Sequence, residues 1–231
     1  MISRRHFAAL AACLLFGAAA CNRSGGEARP EQRPAPALVP STADERPKIV
    51  ALGDSLTAGY GLTEVDSFPA LLQQRIDEAG YQFEVVNAGV SGDTSAGGLR
   101  RLDWILKEDV RVVIVALGGN DGLRGLGVAQ MKDNLSRIIE RAQSEGAVVI
   151  LAGMEAPPNY GPEYAAAFRA AYPDLARQHR VTFVPFLLQG VAGQAALNQG
   201  DGIHPNAEGT QIVAETVWRV LNPILDQISS S

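Results

Sequence analysis

The sequence predicts an α/β domain in which helices cover both faces of a parallel β-sheet. Five short, largely apolar runs rich in Val and Ile alternate with five longer segments of helical period. This alternation is typical of parallel strands joined by crossover helices, and the apolar character of the runs is expected of strands buried on both faces. With 231 residues, 46% hydrophobic and 19% charged, the chain is long enough for one such domain and additional segments.

The predicted strands and helices follow from these runs and from the residues that end them. The strands are expected at 48–53, 83–88, 111–117, 147–152 and 181–184. The helices are expected at 67–79, from after Thr94 through Leu106, at 129–144, at 162–178 and from Asn206 through Leu221. Gly80 and Gly146 follow two of the helices as C-terminal caps, and Pro173 is expected to interrupt or kink the fourth helix.

The first 21 residues have the features of an export signal. Arg4 and Arg5, which resemble a twin-arginine signal, precede an apolar stretch, Phe7 to Ala20, that is too short to span a bilayer comfortably. Cys21 follows three alanines and resembles the lipid-accepting cysteine of a bacterial lipoprotein, although it could be an incidental residue after an ordinary cleaved signal. The sequence therefore predicts an exported bacterial protein of the periplasm or cell envelope, tied to a membrane only by a lipid on Cys21.

The globular domain is expected to span 47–228. Residues 22–46 are rich in proline, glycine, serine and charged residues, a composition typical of a disordered linker. Both cysteines, Cys13 and Cys21, precede the domain, so no disulfide or cysteine metal site is expected in it. The net charge of −5 gives no basic surface for nucleic acid.

Ser55 is the most informative residue of this domain. It follows the first predicted strand in Gly53-Asp54-Ser55, at the carboxyl edge of the sheet, where ligands bind in open α/β folds. A hydroxyl at this place can serve as a nucleophile beside helix-start amides that stabilise an anion. The alternative is that Asp54 or Ser55 only caps the helix.

A serine nucleophile requires a base that accepts its proton. His204 lies three residues after Asp201 in a Gly/Pro loop, where a tight turn can bring the carboxylate to the imidazole and leave the other ring nitrogen for Ser55. His179 is expected to be a solvated residue at a charged helix end. Asp201 and His204 could also be metal ligands, but no histidine or cysteine cluster supports a metal.

Oxyanion donors are expected at the ends of three strands, if those strands are neighbours. The amides of Ser55 and Gly89 and the side-chain amide of Asn120 suit an acyl-transfer transition state. The alternative for Gly118 to Gly122 is a plain turn. The sequence has no phosphate loop, no dinucleotide-binding glycine motif and no Gly-x-Ser-x-Gly elbow.

These blocks together resemble the SGNH (GDSL) hydrolase superfamily. The matching motifs are Gly53-Asp54-Ser55-Leu56, Gly89, Gly118-Gly119-Asn120-Asp121 and Asp201-Gly202-Ile203-His204. Three further stretches are similar to its bacterial thioesterase I/lysophospholipase and arylesterase branch: Asn87 to Thr94, Ala156 to Gly161 and His204 to Gly209. The resemblance implies a flavodoxin-like three-layer α/β/α fold with a five-stranded parallel sheet. It also implies Ser55 as nucleophile, His204 as base, Asp201 as its orienter, and an oxyanion hole of Ser55, Gly89 and Asn120.

The predicted function is that of a serine esterase. It would hydrolyse aryl, short- to medium-chain, lysophospholipid or thioester substrates through an acyl-enzyme, as a monomer without metal or organic cofactor. Met154 and Tyr160, in a proline-stiffened loop after the fourth strand, are expected to contact the acyl chain, unless the loop is only a rigid connector. Two other functions stay open: a carbohydrate O-deacetylase on the same scaffold and a non-catalytic binding lipoprotein.

Overall fold

A computed structural model describes residues 46–230, which form a five-stranded parallel sheet with helices on both faces. The predicted export signal, Cys21 and the predicted linker up to residue 45 lie outside the described residues. Within the described range, no helix combines the length and apolar character that crossing a bilayer requires.

The sheet has the flavodoxin-like strand order. Its strands are β1 (Lys48–Gly53), β2 (Glu84–Gly89), β3 (Val110–Ala116), β4 (Val148–Ala152) and β5 (Thr182–Val184). They are arranged β2-β1-β3-β4-β5, and every neighbouring pair is parallel. The predicted fold class is therefore confirmed.

Helices of two different lengths surround the sheet. The short ones are α1 (Ser55–Ala58) and α4 (Gly119–Leu123). The long ones are α2 (Phe68–Glu78), α3 (Ser95–Ile105), α5 (Val128–Ser144), α6 (Pro162–His179) and α7 (Ala207–Ser229). Helices α2 and α7 pack against each other, and α5 packs between α3 and α6.

The core lies around the two central strands. Side chains of β1 and β3 from Ile49 to Leu52 and from Val112 to Val115 are almost inaccessible to solvent. Strand β1 has β2 on one side and β3 on the other, so the connections after β1 and after β2 run in opposite directions along the sheet. A crevice therefore opens between the carboxyl ends of β1 and β3. The residues that follow these two strands, at the starts of α1 and α4, therefore meet at this crevice.

Helix α6 continues through Pro173, and the predicted interruption is not found. Phe168, Tyr172 and Leu175, on both sides of the proline, are buried, and the Tyr172 hydroxyl donates to the carbonyl of Leu117 over 3.1 Å. Burying each such side chain stabilises the fold by about 1.5–3 kcal/mol, while proline in a helix interior costs about 3 kcal/mol. Packing therefore holds the helix together across the proline.

Candidate active site

Ser55 is the first residue of α1, directly after its N-cap residue Asp54. The Asp54 side chain accepts a hydrogen bond from the Leu56 amide at 3.0 Å, so it is Asp54 that caps the helix and the Ser55 hydroxyl is left for another partner. Gly53 makes the sharp turn possible, because a Cβ there would lie 1.9 Å from Oγ1 of Thr57.

Asp201, His204 and Ser55 form a row of three side chains in which each is within hydrogen-bond distance of the next. His204 Nε2 lies 2.9 Å from Ser55 Oγ, and His204 Nδ1 lies 2.6 Å from Asp201 Oδ2. The side chain of His204 is 15% exposed and that of Asp201 is 38% exposed. A carboxylate on Nδ1 selects the tautomer in which Nε2 can accept the serine proton.

The turn that carries this acid–base pair is held by its own backbone. The other oxygen of Asp201, Oδ1, accepts hydrogen bonds from the amides of Ile203 and His204, both at 3.0 Å. The hydrogen bond from the His204 ring and these two amides lower the pKa of the Asp201 carboxyl to about 2. An antiparallel bridge between Asn198 and Pro205 closes the turn at its base.

Asn120 lies on the other side of the crevice, in α4, which replaces the plain turn considered for Gly118 to Gly122. Its Nδ2 donates to Asp54 Oδ2 over 3.1 Å, which leaves a second N–H of the same group. The next residue, Asp121, is buried and accepts from the amide and hydroxyl of Ser95 at 2.8 and 2.6 Å. These bonds fix α4 to the start of α3.

Asp54 is itself buried beneath the site, with 3% of its surface exposed. Burial raises the pKa of its carboxyl to about 6, against the opposing effect of the Leu56 amide and the Asn120 side chain. The pKa of the carboxyl next to the nucleophile is therefore shifted upwards, whereas that of Asp201 is shifted downwards.

Gly89 is outside the lining of the cavity that contains Ser55 and Asn120. Its amide donates to the side-chain oxygen Oδ1 of Asn87 at 3.0 Å, and it lines a groove beside Lys48 and Trp104 rather than the pocket around Ser55. A Cβ at this position would lie 2.2 Å from the amide nitrogen of Ala58. The close approach that requires glycine here is the packing of α1 against β2.

A cavity of about 280 Å³ opens beside Ser55 and His204. It is lined mostly by apolar side chains, among them Leu56, Leu123, Met154, Phe186, Leu188 and Ile203. Ligand pockets of this type range from roughly 300 to 1,000 Å³. The cavity is therefore suited to a small apolar group joined to a carbonyl carbon at Ser55.

The two residues expected to contact an acyl chain have different surroundings. Met154 is buried and lines the cavity. Tyr160 is absent from the cavity lining among the described residues; its hydroxyl donates to the carbonyl of Leu123 over 2.9 Å. Its ring covers Gly125, where a Cβ would lie 2.5 Å from the ring. Tyr160 thus packs against the segment from Leu123 to Gly125, on the side that faces away from the cavity lining.

Sequence reasoning did not select Leu56, Leu123, Phe186 or Ile203 as lining residues. Leu56 and Ile203 are the sequence neighbours of Ser55 and His204, and this proximity could have indicated that they line the cavity. Leu123 and Phe186 reach the cavity through α4 and the connection after β5, for which the sequence had no comparable signal.

Two other features bear on the chemistry of the described residues. No group of three or more His, Cys, Asp or Glu side chains there could hold a metal ion. A more open groove of about 790 Å³ between α3 and α5 is larger than the cavity at Ser55, but charged side chains such as Arg100, Arg137 and Glu140 line it. Because it contains no nucleophile paired with a base, we assign the chemistry to the smaller cavity.

Residues 51–212 match the model of the GDSL-like Lipase/Acylhydrolase family. The chain belongs to this family. The family assignment made from the sequence motifs is therefore confirmed, and the matched range includes all four motif blocks.

Three relatives of the chain have named activities. Esterase TesA of Pseudomonas aeruginosa is 46% identical over 178 residues, 77% of this chain and 89% of TesA. Thioesterase 1/protease 1/lysophospholipase L1 of Escherichia coli (strain K12) is 40% identical over 182 residues, 78% and 86% of the two chains. Arylesterase of Vibrio mimicus is 39% identical over 175 residues, 75% and 88% of the two chains.

Two solved structures agree with these sequence relationships. The crystal structure of TesA has a TM-score of 0.74 and covers 76% of this chain and 98% of its own, at 46% identity. Esterase EstA from Pseudoalteromonas sp., in a structure inhibited by monoethylphosphonate, also has a TM-score of 0.74, with 33% identity and 78% and 98% coverage. The chain is accordingly a serine esterase, as its sequence predicts, and carbohydrate deacetylation is not favoured.

Proposed function

We propose that this esterase acts through Ser55 as nucleophile, His204 as general base and Asp201 as the residue that orients the base. One observation carries the proposal: the hydrogen-bond chain in which 2.6 Å separates Asp201 Oδ2 from His204 Nδ1 and 2.9 Å separates His204 Nε2 from Ser55 Oγ. This is the arrangement that activates a serine hydroxyl for acyl transfer.

The reaction proceeds in two halves. Ser55 Oγ attacks the ester carbonyl carbon while His204 Nε2 takes the hydroxyl proton, and the alcohol then leaves with that proton as the acyl-enzyme forms. Water next attacks the same carbonyl carbon and gives a proton to His204. The acid departs as Ser55 Oγ recovers its proton.

The negative charge on the carbonyl oxygen is stabilised by amides on both sides of the crevice. Ser55 is at the start of α1, where the first amides of a helix have no intrahelical acceptor, and Asn120 has a second N–H beyond the one bound to Asp54. Each such donor is typically worth about 2.7–4 kcal/mol in the transition state. A third contribution, from Gly89, would require its amide to leave Asn87.

The acyl group occupies the cavity lined by Leu56, Met154 and Phe186. Its volume of about 280 Å³ and its apolar lining favour short to medium acyl chains over acetylated sugars, whose hydroxyls need polar partners. Aryl esters, lysophospholipids and acyl thioesters share the required acyl carbonyl. A thioester would be an unusual substrate in the cell envelope, so thioesterase activity is a capacity of the site.

The test is a series of p-nitrophenyl esters from acetate to palmitate, assayed with the wild-type protein and Ser55→Ala. Activity on medium chains that is lost in Ser55→Ala supports the mechanism. A fluorophosphonate should add its phosphonyl group to Ser55 Oγ with loss of fluoride, and mass spectrometry locates the adduct. Activity that survives in Ser55→Ala would contradict Ser55 as the nucleophile. Turnover confined to the acetate ester would instead favour acetylated sugars as substrates.

The N-terminal segment adds a proposal about location. The paired arginines and Cys21 support export and attachment of a lipid, with residues 22–46 as the tether of a monomeric domain at 47–228. Cell fractionation of the wild type and Cys21→Ala separates the two alternatives. If the wild type is found in the membrane fraction and Cys21→Ala in the soluble fraction, the protein carries a lipid anchor on Cys21. If both proteins are found in the soluble fraction, a lipid anchor is contradicted.

A further inference from the structure

Gln199 connects two parts of the site that are far apart in the chain. Its Nε2 donates to the carbonyl of Tyr60 over 2.6 Å and to the carbonyl of Pro205 over 2.9 Å. Its backbone amide donates to the carbonyl of His204 over 2.7 Å. One side-chain amide therefore joins the turn that carries His204 to the segment that follows α1.

Tyr60 extends this connection to the nucleophile. The Tyr60 amide donates to the carbonyl of Ser55 over 3.0 Å, so the hydrogen bonds run from the Ser55 backbone through Tyr60 and Gln199 to Pro205, the neighbour of His204. The Tyr60 ring also lies against the imidazole of His204, with 4.7 Å between ring centroids and 39° between planes. Both backbone segments that hold the reacting groups are bound to Gln199.

Gly61 leaves room for this side chain. It has a positive φ of 75°, and a Cβ on it would lie 2.1 Å from Oε1 of Gln199. A larger residue at position 61 would be strained in this conformation and would push the Gln199 amide away. The close approach of Gln199 thus depends on glycine at that position.

We propose that Gln199 is a positioning residue that keeps His204 Nε2 within hydrogen-bond distance of Ser55 Oγ. The proposal rests on the function proposed above for Ser55 and His204. These two residues are 149 positions apart, and the turn between Asn198 and Pro205 is exposed at Asp201 to Ile203. A misplacement of about 1 Å between reacting groups can cost on the order of 10²-fold in rate, so a tie between the two backbones has a direct kinetic effect.

The decisive variant is Gln199→Met, which keeps the length of the side chain and removes its donor. Gln189→Met is the matched control, because Gln189 is exposed in the same connection between β5 and α7. We expect Gln199→Met to lower kcat and the rate of fluorophosphonate labelling of Ser55 by about 10- to 100-fold, with KM within about twofold of wild type. Rates are divided by the amount of Ser55 that the fluorophosphonate labels at completion. A smaller amount of folded protein is therefore not mistaken for a slower reaction.

A second variant reaches the same contact from the opposite side. Gly61→Ala should displace Gln199 and lower kcat in the same way, and the double variant should lose less than the product of the two single losses. If Gln199→Met does not fold, Gly61→Ala alone provides the measurement. Independent, multiplicative losses would contradict a shared contact.

Two results distinguish failure of this proposal from failure of the mechanism. Gln199→Met with wild-type kcat and labelling rate per titrated Ser55 would overturn the positioning role. A wild-type protein that hydrolyses esters without labelling at Ser55 would instead overturn the proposed nucleophile. A loss confined to KM or to thermal stability would assign Gln199 to substrate binding or folding and also overturn the proposal.

Discussion

Ser55 and Ser136 both lie within hydrogen-bond distance of a histidine ring. The distance from Oγ to His204 Nε2 is 2.9 Å for Ser55, and the distance from Oγ to His179 Nε2 is 2.8 Å for Ser136. Judged by this distance alone, the two pairs are equivalent. Their surroundings differ in every other respect that matters for catalysis.

The first difference is the partner on the far side of each serine–histidine contact. In the Ser55 pair, Asp201 binds the second ring nitrogen of His204, so the ring can accept a proton from the serine. In the Ser136 pair, the hydroxyl also contacts Oε1 of Glu140 at 3.3 Å. Among the described residues, no carboxylate is hydrogen-bonded to the ring of His179. A short Ser–His distance therefore does not by itself define a base.

The second difference is the position of each serine in its helix. Ser55 begins α1 beside an apolar cavity, where helix amides are available to a bound group. Ser136 is in the middle of α5, where amides are bonded within the helix. The Ser136–His179 contact joins α5 to the end of α6, and we interpret it as a structural link between helices.

The largest expected contrast comes from removing each histidine. His204→Ala should lower kcat/KM by about 10⁴-fold or more, because the serine then has no base. His179→Ala should stay within about twofold of wild type, since His179 does not line the cavity. Steady-state assays on p-nitrophenyl butyrate provide the comparison, and comparable losses in the two variants would show that the difference in surroundings has no catalytic consequence.

The carboxylates beside the two pairs provide the next contrast. Asp201→Asn should lower kcat/KM by about 10²- to 10⁴-fold, because an amide no longer selects the required tautomer of His204. Glu140→Gln, at an exposed residue beside the half-buried Ser136 pair, should have little effect.

The pH dependence sharpens this prediction. The pKa of the Asp201 carboxyl is held at about 2, below its ordinary value of 3.8, by the His204 ring and two amides. Any stability it contributes is present above the unfolded pKa and is lost as the pH falls through about 2. The carboxylate is therefore charged throughout an assay series from about pH 5 to 9, and the loss in Asp201→Asn should persist at each pH. A loss that vanishes at one end of this range would contradict the orienting role.

The smallest expected effect concerns the buried carboxyl next to Ser55. Burial raises the pKa of Asp54 from 3.8 to about 6. The contribution of this group to stability is therefore greatest below its unfolded pKa of 3.8 and is lost as the pH rises through about 6. Asp54→Asn removes the buried charge and should raise the free energy of unfolding at about pH 8 by about 1–2 kcal/mol, less than the shift alone implies because the contact with Asn120 is weakened.

Thermal denaturation at two pH values tests this effect. The gain in Asp54→Asn should disappear at about pH 3, where the wild-type carboxyl is largely protonated in both the folded and the unfolded state. At neutral pH, kcat should fall because Asn120 loses its acceptor. Glu140→Gln serves as the control, since Glu140 is exposed. A stability gain of equal size at both pH values would mean that burial of charge is not its cause.

The site residues that could be proposed from the sequence alone are those with a local pattern. Ser55 follows an apolar run directly, and Asp201 is three residues from His204, so residue type and spacing were enough to select them. The strand ends were also within one or two residues of those observed, because burial on both faces leaves a continuous apolar run.

The parts that could not be predicted depend on contacts between distant segments. The strand order comes from which crossover packs where, and periodicity has no information about it. Nothing in the sequence indicates that Gly89 packs against Ala58 of α1. His179 was expected to be solvated, but Ser136 of α5 lies against it. Gln199 is an ordinary polar residue in a loop, and only the folded chain brings it to Tyr60.

The turn from Asp201 to His204 has a consequence for the time course of refolding. Its three hydrogen bonds link residues at most three positions apart, so it can form before the rest of the domain. Ser55 joins it only when β1 and the N-terminal end of α7 have docked on the same sheet, and such long-range closures are slow. Recovery of hydrolysis during refolding therefore reports when the distant segments that carry Ser55 and His204 come together. It should lag behind the recovery of the circular dichroism signal of the helices.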